Sequence, residues 1–435
     1  MRVASYTLGC KLNQCESEAL AHAFLSRGFF VVAPNENPDL VIVNTCTVTS
    51  KAEQKARRIL KKIAEEAPGA ALVVTGCYAQ MAREEIQKTL PGAWVVSMTQ
   101  KANLADLPLF LETDCPAGEP LAVSLRRFFL GADGKSDPFA FESAPGLYHV
   151  RSFVKIQDGC DNACRYCRVR LARGKSVSLP FEEALRRITA AEAAGAAEIV
   201  LSGVNLSQYR DGASDLSDLI EEAAQRLTSA RIRLSSLEPD FVDEKLVRAV
   251  SHPKVCPHFH LALQSGSSAV LARMGRHYDA ERAAEAVRLL RNAKEDPFLA
   301  ADVITGFDGE SDDEFLETER FIAENALHAL HVFPFSPRPG TEAAVPKHPV
   351  AQRIRDERAA VLRKRSQCAS EAYRQKWASK PADVIVEECV PLKGGGFLCE
   401  GLSERYLRYR FESPVERKKG SCLRNFFAES VDIFL

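Results

Sequence analysis

The stretch Lys155-Ile156-Gln157-Asp158-Gly159-Cys160-Asp161-Asn162-Ala163-Cys164-Arg165-Tyr166-Cys167 sets three cysteines in a Cys-x3-Cys-x2-Cys frame at the end of an apolar, strand-like run, Val150 to Ile156. A structural zinc site recruits four protein ligands. A cubane iron-sulfur cluster held by three cysteines keeps one iron open to a small molecule. Cysteines buried merely as small hydrophobes show no such spacing. We therefore read Cys160, Cys164 and Cys167 as cluster ligands and as the catalytic centre.

Downstream of this loop, strand-like and helix-like stretches alternate. With Val150 to Ile156, the strand candidates are Glu198 to Leu201, Ile232 to Ser235, Phe259 to Leu263, Ala300 to Thr305 and His328 to Phe333. Helical patterns separate them, among them Phe181 to Ala194, Asp240 to Val250, Glu281 to Ala293 and Asp312 to Ala326. Six βα units predict an open, partial TIM-type (β/α)6 barrel over residues 147–375, two units short of closure. Polar or glycine-rich words follow the strands: Ser202-Gly203-Val204-Asn205, Ser236-Leu237-Glu238-Pro239, Gln264-Ser265-Gly266-Ser267 and Gly306-Phe307-Asp308-Gly309-Glu310. Each alone reads as a turn. Four of them on the face that carries the cysteine loop predict a binding pocket.

Upstream, Val3 to Leu8, Leu40 to Asn44 and Ala71 to Thr75 are short apolar runs, each followed by a helical pattern: Ser17 to Arg27, Thr49 to Glu66 and Ala79 to Leu90. This predicts an α/β unit with a doubly wound parallel sheet over residues 1–130. The three runs end in Gly9-Cys10, Thr45-Cys46 and Gly76-Cys77. The carboxyl ends of parallel strands border one crevice, so three cysteines more than thirty residues apart can meet there. We read Cys10, Cys46 and Cys77 as a second set of metal ligands, against the alternative of core thiols. Cys15, Cys115, Cys256, Cys368, Cys389, Cys399 and Cys422 are read as structural. Residues 131–146, rich in Gly, Pro and Asp, read as a linker.

The basic stretch Arg353 to Lys376 is helical in pattern. Beyond it, Asp383 to Val390, Gly396 to Glu400, Tyr406 to Phe411 and Val431 to Leu435 predict a small antiparallel β-barrel over residues 376–435. Arg405, Tyr406, Arg408, Tyr409, Arg410, Arg417, Lys418 and Lys419 interleave rings and cations there, as suits RNA; a solvated charged face is the alternative.

Composition is that of an ordinary soluble protein: 435 residues, 46% hydrophobic, 26% charged, net charge -1. The start, Met1 to Gly9, carries no basic and apolar leader, and no run approaches twenty apolar residues, so we expect a cytoplasmic chain without a membrane partner. In that compartment thirteen cysteines point to metal, redox or core roles rather than a disulfide framework.

The Cys160, Cys164, Cys167 motif resembles the radical S-adenosylmethionine superfamily. Together with Leu8-Gly9-Cys10-Lys11-Leu12-Asn13, Asn44-Thr45-Cys46-Thr47-Val48, Thr75-Gly76-Cys77-Tyr78-Ala79-Gln80, Met274-Gly275-Arg276-His277-Tyr278 and Val332-Phe333-Pro334-Phe335-Ser336, essentially the whole chain is similar to the methylthiotransferases. The last segment looks like a TRAM RNA-binding barrel. The resemblance implies two 4Fe-4S clusters and S-adenosylmethionine. The cluster on Cys160, Cys164 and Cys167 would cleave the cofactor to a 5'-deoxyadenosyl radical, and that on Cys10, Cys46 and Cys77 would carry methylated sulfur. The expected cofactor contacts are Gly203, Asn205, Glu238, Gln264, Ser265 and Gly306. Gly9-Cys10-Lys11-Leu12-Asn13 resembles the branch acting on N6-threonylcarbamoyladenosine 37; isopentenyladenosine 37 and a ribosomal protein are the substrates of other branches. An iron-sulfur redox or RNA-binding protein is the rival of a different class. Implied partners are the tRNA anticodon loop, a flavodoxin- or ferredoxin-like electron donor and a sulfur source, with the chain a monomer.

Two words depart from the family pattern. Arg168-Val169-Arg170 replaces an apolar pair and proline after Cys167, and Asp308 replaces a proline. The five cations from Arg165 to Lys175 are expected either to contact tRNA phosphate or to face solvent. Asp308 is expected to loosen a turn and alter charge near the cofactor.

Overall fold

The computed structural model describes residues 1–116, 118–131, 137–142, 147–427 and 431–434. Most of the expected linker, and Leu435 of the last strand, lie outside them. The first unit is a parallel sheet of β1 (Arg2–Thr7), β2 (Phe30–Val32), β3 (Leu40–Thr45), β4 (Ala71–Gly76) and β5 (Trp94–Val95) in the order β2-β1-β3-β4-β5. Every pairing is parallel. The order reverses beside β1, which makes the carboxyl ends of β1 and β3 the switch point of a doubly wound sheet. Helix α1 (Lys11–Leu25) begins directly at Cys10, earlier than the periodicity predicts, and α2 (Ser50–Glu66) is capped by the Thr49 hydroxyl. The predicted helix from Ala79 is two short ones, Cys77–Met81 and Arg83–Thr89, broken at Ala82. Helices Leu107–Thr113 and Leu121–Gly131 occupy a region where the sequence pattern is weak; Leu107, Leu111, Leu125 and Phe128 pack them onto the sheet.

The second unit carries six parallel strands in two sheets. These are β6 (Ser152–Lys155), β9 (Glu198–Ser202) and β12 (Arg231–Leu234), then β13 (His258–Gln264), β14 (Phe298–Thr305) and β15 (Ala329–Pro334). Bridges Ile232 to Val255 and Leu237 to Leu261 join the two sheets. Between β6 and β9 lie the two-residue pair β7 (Gln157–Asp158) and β8 (Val177–Ser178); the hairpin of β10 (Arg210–Asp211) and β11 (Ser214–Asp215) follows. Alternation sorts the faces. Phe259, Leu261 and Leu263 of β13 face the helices, while His258, His260, Ala262 and Gln264 point to the opposite face.

The helix Gln352–Trp377 leads to an antiparallel sheet of β16 (Ala382–Pro391), β17 (Phe397–Ser403), β18 (Arg408–Ser413), β19 (Cys422–Phe426) and β20 (Val431–Phe434), in the order β19-β16-β17-β18-β20. Strand β19 was not expected, because Cys-Leu-Arg-Asn-Phe lacks clear alternation. Among the described residues no ladder pairs the edge strands β19 and β20, so the connected unit is a five-stranded sheet. Cys389 and Cys399, expected as separate structural thiols, are instead joined as a disulfide. The β16–β17 register sets them directly opposite, with Cα atoms 4.1 Å apart.

This sheet docks on the amino ends of the second unit's parallel strands. Glu198 accepts from Arg231 and Arg233 at 2.6 Å each, while the two guanidiniums donate onward to the carbonyls of Asp383, Leu402, Ser403 and Glu404. The Tyr406 ring stacks on His258 at 4.5 Å.

His328 ties the long helix to the strands: its ring lies 4.3 Å from that of Tyr373, and its Nδ1 accepts the Leu299 N–H at 3.0 Å. Burial, with Arg291 nearby, holds it down to about 4. A histidine kept neutral by the fold leaves stability intact above its unfolded pKa of about 6.5 and loses it as pH falls toward about 4. The expected loss approaches about 3 kcal/mol. Thermal unfolding followed from about pH 7 to about pH 4.5 should show it, and His328→Gln should flatten that part of the profile.

Candidate active site

The first cysteine set sits on a loop fixed at both ends. Gly159 adopts φ +68°, and a side chain there would run into the Lys175 carbonyl. Cys160 N–H donates to the Gly174 carbonyl at 3.1 Å and Arg165 N–H to the Met274 carbonyl at 3.0 Å. The Gln157 amide donates to the Gly159 carbonyl at 2.7 Å and accepts the Asn205 N–H at 2.8 Å, so one side chain holds both the loop and the word after β9. Arg276 Nη1 lies 3.0 Å from Cys164 Sγ and its other arm is paired with Glu238. Asn205 Nδ2 is 3.7 Å from Cys160 Sγ.

The second set is stitched together by the strand ends that carry it. Asn13 Nδ2 donates to the carbonyls of Leu8, at 2.8 Å, and Thr45, at 3.1 Å. Thr45 Oγ1 donates to the Thr75 carbonyl at 2.6 Å and accepts the Ala79 N–H at 3.1 Å. At Gly9, with φ +110°, a Cβ would come within 2.6 Å of Cys46 Cβ, so the backbone before Cys10 passes directly against Cys46. Burial pushes the thiols of Cys46 and Cys167 up to about 12 and raises those of Cys10 and Cys160. Metal loading must then expel protons from these thiols.

One cavity of about 1060 Å³ is lined by all six cysteines. Gly203, Asn205, Glu238 and Gln264 also line it. The structure does not bring Ser265 or Gly306 to it. Ser265 is fully buried against the Thr318 hydroxyl at 3.0 Å, and Gly306 packs under the Arg355 side chain with its N–H on Glu310. Sequence reasoning did not place several lining groups in the cavity: Lys11, Arg151, Arg173, His260, Arg276, Asp302 and His331, with Tyr406 read only as an RNA-facing ring. Lys11 and Arg276 stood inside quoted words and His331 beside one; for the others the signal was the alternation of a strand or nothing local. His260 Nε2 and His331 Nδ1 stand 3.0 and 3.3 Å from one oxygen of Asp302. Burial alone would raise that carboxyl, but the two imidazoles hold it well below the usual carboxylate range.

The two units meet at a buried ionic seam. Glu16 of α1 accepts from Lys155 at 2.8 Å, from Arg173 at 3.2 Å and from Lys101. Asp158 accepts from Lys155 at 2.6 Å and Arg173 at 2.9 Å. The rest of the Arg173 fork donates to Asn13 Oδ1 at 2.8 Å, while its Nε reaches Cys77 Sγ at 3.3 Å. These contacts correct the expected phosphate or solvent role for Arg168 and Arg173, not for the other three cations after Cys164. Arg173 is spent on the seam, Arg168 is buried on Glu53 of α2 at 2.9 Å, and Arg165 pairs with Glu342 at 3.3 Å; Arg170 and Lys175 are exposed. Asp308 is corrected too. Its carboxylate accepts the N–H groups of Lys347 and His348, at 2.9 and 2.6 Å, and stands outside the cavity lining.

A three-cysteine loop over the carboxyl end of a parallel strand, opening on a large cavity, defines a radical S-adenosylmethionine enzyme, a class that uses a 4Fe-4S cluster and S-adenosylmethionine. The radical SAM superfamily matches residues 154–322, and the uncharacterized protein family UPF0004 matches residues 2–97. The chain is 38% identical to the threonylcarbamoyladenosine tRNA methylthiotransferase MtaB of Treponema pallidum, covering 88% of this chain and 90% of that one. It is 30% identical to the tRNA-2-methylthio-N(6)-dimethylallyladenosine synthase of Endomicrobium trichonymphae, over 88% of each. The radical S-adenosylmethionine methyltransferase TsrM of Kitasatospora setae shares the fold, with TM-score 0.55 and 14% identity over 79% of this chain and 77% of that one. The chain belongs to the radical S-adenosylmethionine tRNA methylthiotransferases, and it is a transferase. No helix among the described residues is long and apolar enough to cross a membrane.

Proposed function

We propose that this enzyme inserts a methylthio group at C2 of N6-threonylcarbamoyladenosine 37 of tRNA, using two clusters in one cavity, and that it acts in the cytoplasm on the anticodon loop. The observation that carries the reading is the convergence of six cysteines from two units on one cavity. Both donor sets fit an iron-sulfur cluster: three sulfurs each, a guanidinium donating to a sulfur of each set, and the remaining coordination position left to a small molecule. When bound, the clusters and S-adenosylmethionine would supply a carbon-centred radical and an iron-held methylthio group.

The chain's own residues bind, orient and exclude water. Gln157 and Asn205 fix the loop of Cys160 against the cavity wall, and Arg276 joins Cys164 to Glu238. Arg173 and the Glu16 seam hold the second cysteine set at a fixed place relative to the first. The six-strand unit would serve as an open (β/α)6 barrel and the C-terminal sheet as a TRAM-like RNA platform. An electron donor and a sulfur source complete the cycle. We place the cofactor against Gly203, Asn205, Glu238 and Gln264. The threonylcarbamoyl substrate is favoured by the 38% relative, whose name carries it. Mass spectrometry of tRNA nucleosides from cells lacking the protein tests the reading. The methylthio form of threonylcarbamoyladenosine should be absent while its parent accumulates. Loss of the methylthio isopentenyl form instead, or an unchanged profile, would overturn it.

A further inference from the structure

One corner of the cavity gathers cations whose own anionic partners are distant or lacking. Lys11 follows Cys10 directly, lines the cavity, and points its Nζ to 5.6 Å from the Tyr406 ring centre. No ion pair or side-chain hydrogen bond among the described residues uses that ammonium. Arg151, in the approach to β6, lies across the same ring at 5.7 Å and is 9% exposed. Its Nε and Nη1 make no hydrogen bond; the guanidinium meets the Tyr406 hydroxyl and makes only long ion pairs, with Glu198 at 3.7 Å and Glu387 at 3.9 Å. Both are already committed, Glu198 to Arg231 and Arg233, and Glu387 to Arg408 at 2.8 Å. Tyr406 is held at φ +66°, so its ring is placed in this corner by a backbone conformation that few side chains tolerate. Cations drawn out of water are ordinarily closely paired. A half-buried ammonium without a close partner and a buried guanidinium with only long ion pairs, both against the Tyr406 ring, make a receptor for an oxyanion.

We propose that Lys11 and Arg151 form a subsite for the carboxylate of the threonylcarbamoyl group, and so select that substrate over adenosines with a neutral N6 substituent. The inference rests on the substrate named above. The chemistry of that group supports the placement. The distal ureido N–H of an N6-carbamoyl adenine can hydrogen-bond to ring N1, which swings the amino acid toward the edge that carries C2. A carboxylate there would fall beside the sulfur-bearing cysteine set, and Lys11 is the residue next to Cys10. A guanidinium and an ammonium give the carboxylate charge-assisted hydrogen bonds. An isopentenyl group offers nothing to repay their desolvation.

A tRNA phosphate is the other source of an oxyanion, and binding measurements separate the two. Reconstituted enzyme is titrated with anticodon stem-loops carrying unmodified adenosine, the threonylcarbamoyl group, or its methyl ester at position 37. Wild type should prefer the free acid to the ester by about tenfold, the scale of one charge-assisted contact. Lys11→Met and Arg151→Gln should each lower affinity for the acid about tenfold, with the ester and the unmodified loop unchanged and Lys11→Arg largely restoring it. Equal binding of acid and ester by wild type would overturn the subsite. So would variants that weaken all three RNAs alike, which would mark a phosphate contact. Iron content is measured in each variant; if Lys11→Met loads poorly, Arg151→Gln decides. The failure of the substrate reading looks different: wild type would then leave the threonylcarbamoyl stem-loop unconverted while converting the isopentenyl one.

Discussion

A Cys46→Ala enzyme, reconstituted without oxygen, should hold about four irons per chain where wild type holds about eight, should still cleave S-adenosylmethionine to 5'-deoxyadenosine, and should insert no sulfur. Cys46 is the instructive member of its set because it is buried at the end of a central strand and its neighbour Thr45 is bonded to Asn13 of α1 and to Thr75 at the end of β4. Removing its sulfur leaves those hydrogen bonds in place, so the sheet should fold. None of the bonds that hold the Cys160 loop involves Cys46. Sulfur insertion and cofactor cleavage should therefore separate. Cys10→Ala and Cys77→Ala should behave alike, and a variant that lost both activities together would refute the division of labour between the two sets.

The second large effect concerns stability. Glu16→Leu should destabilise the docking of the first unit on the second by about 3–5 kcal/mol, the range for stripping one partner from a buried ion pair. Burial would push the Glu16 carboxyl up, but Arg173, Lys101 and Lys155 override it and hold it well below the usual range. Its side chain is 2% exposed and Lys101, Lys155 and Arg173 are 5% exposed or less. The substitution would leave Asp158 to serve Lys155 and Arg173 alone and would strand Lys101 without a carboxylate. An early, separate unfolding step in urea should appear, with the proteolytic nick falling between the two units. Adding Lys155→Met to Glu16→Leu should recover part of the loss, because it removes one of the surplus charges. If Glu16→Leu unfolds in a single step at the wild-type midpoint, the seam does not hold the units together.

What was legible in the sequence follows from the range of the forces. Strand-helix alternation is local, and it marked three strands of the first unit and all six of the second to within a few residues. The convergence of Cys10, Cys46 and Cys77 was legible although they are far apart, since parallel strands deliver their carboxyl ends to one side. The fates of Arg168 and Arg173 were not, because their partners Glu53 and Glu16 lie 115 and 157 residues away and a cation's neighbours do not show in its own surroundings. The Cys389–Cys399 bond needed the hairpin register, which Lys393-Gly394-Gly395-Gly396 does not spell out. Ser265 and Gly306 stood inside words expected to face the cavity, but side chains and peptides after a strand turn either way, and of those two words only Gln264 lines it. The loosely partnered pair of Lys11 and Arg151 was beyond reach for a related reason: a missing or distant partner becomes visible only when every neighbour is known.

The seam around Glu16 carries one more consequence. Apolar surfaces can slide over one another by an ångström at little loss, whereas a carboxylate shared among three cations has a single position at which all are satisfied. The spacing between the two cysteine sets is thereby gauged by ions rather than by grease. On the proposed function, in which a radical raised at one set must act at the other, its reach would be metered by electrostatics at this joint.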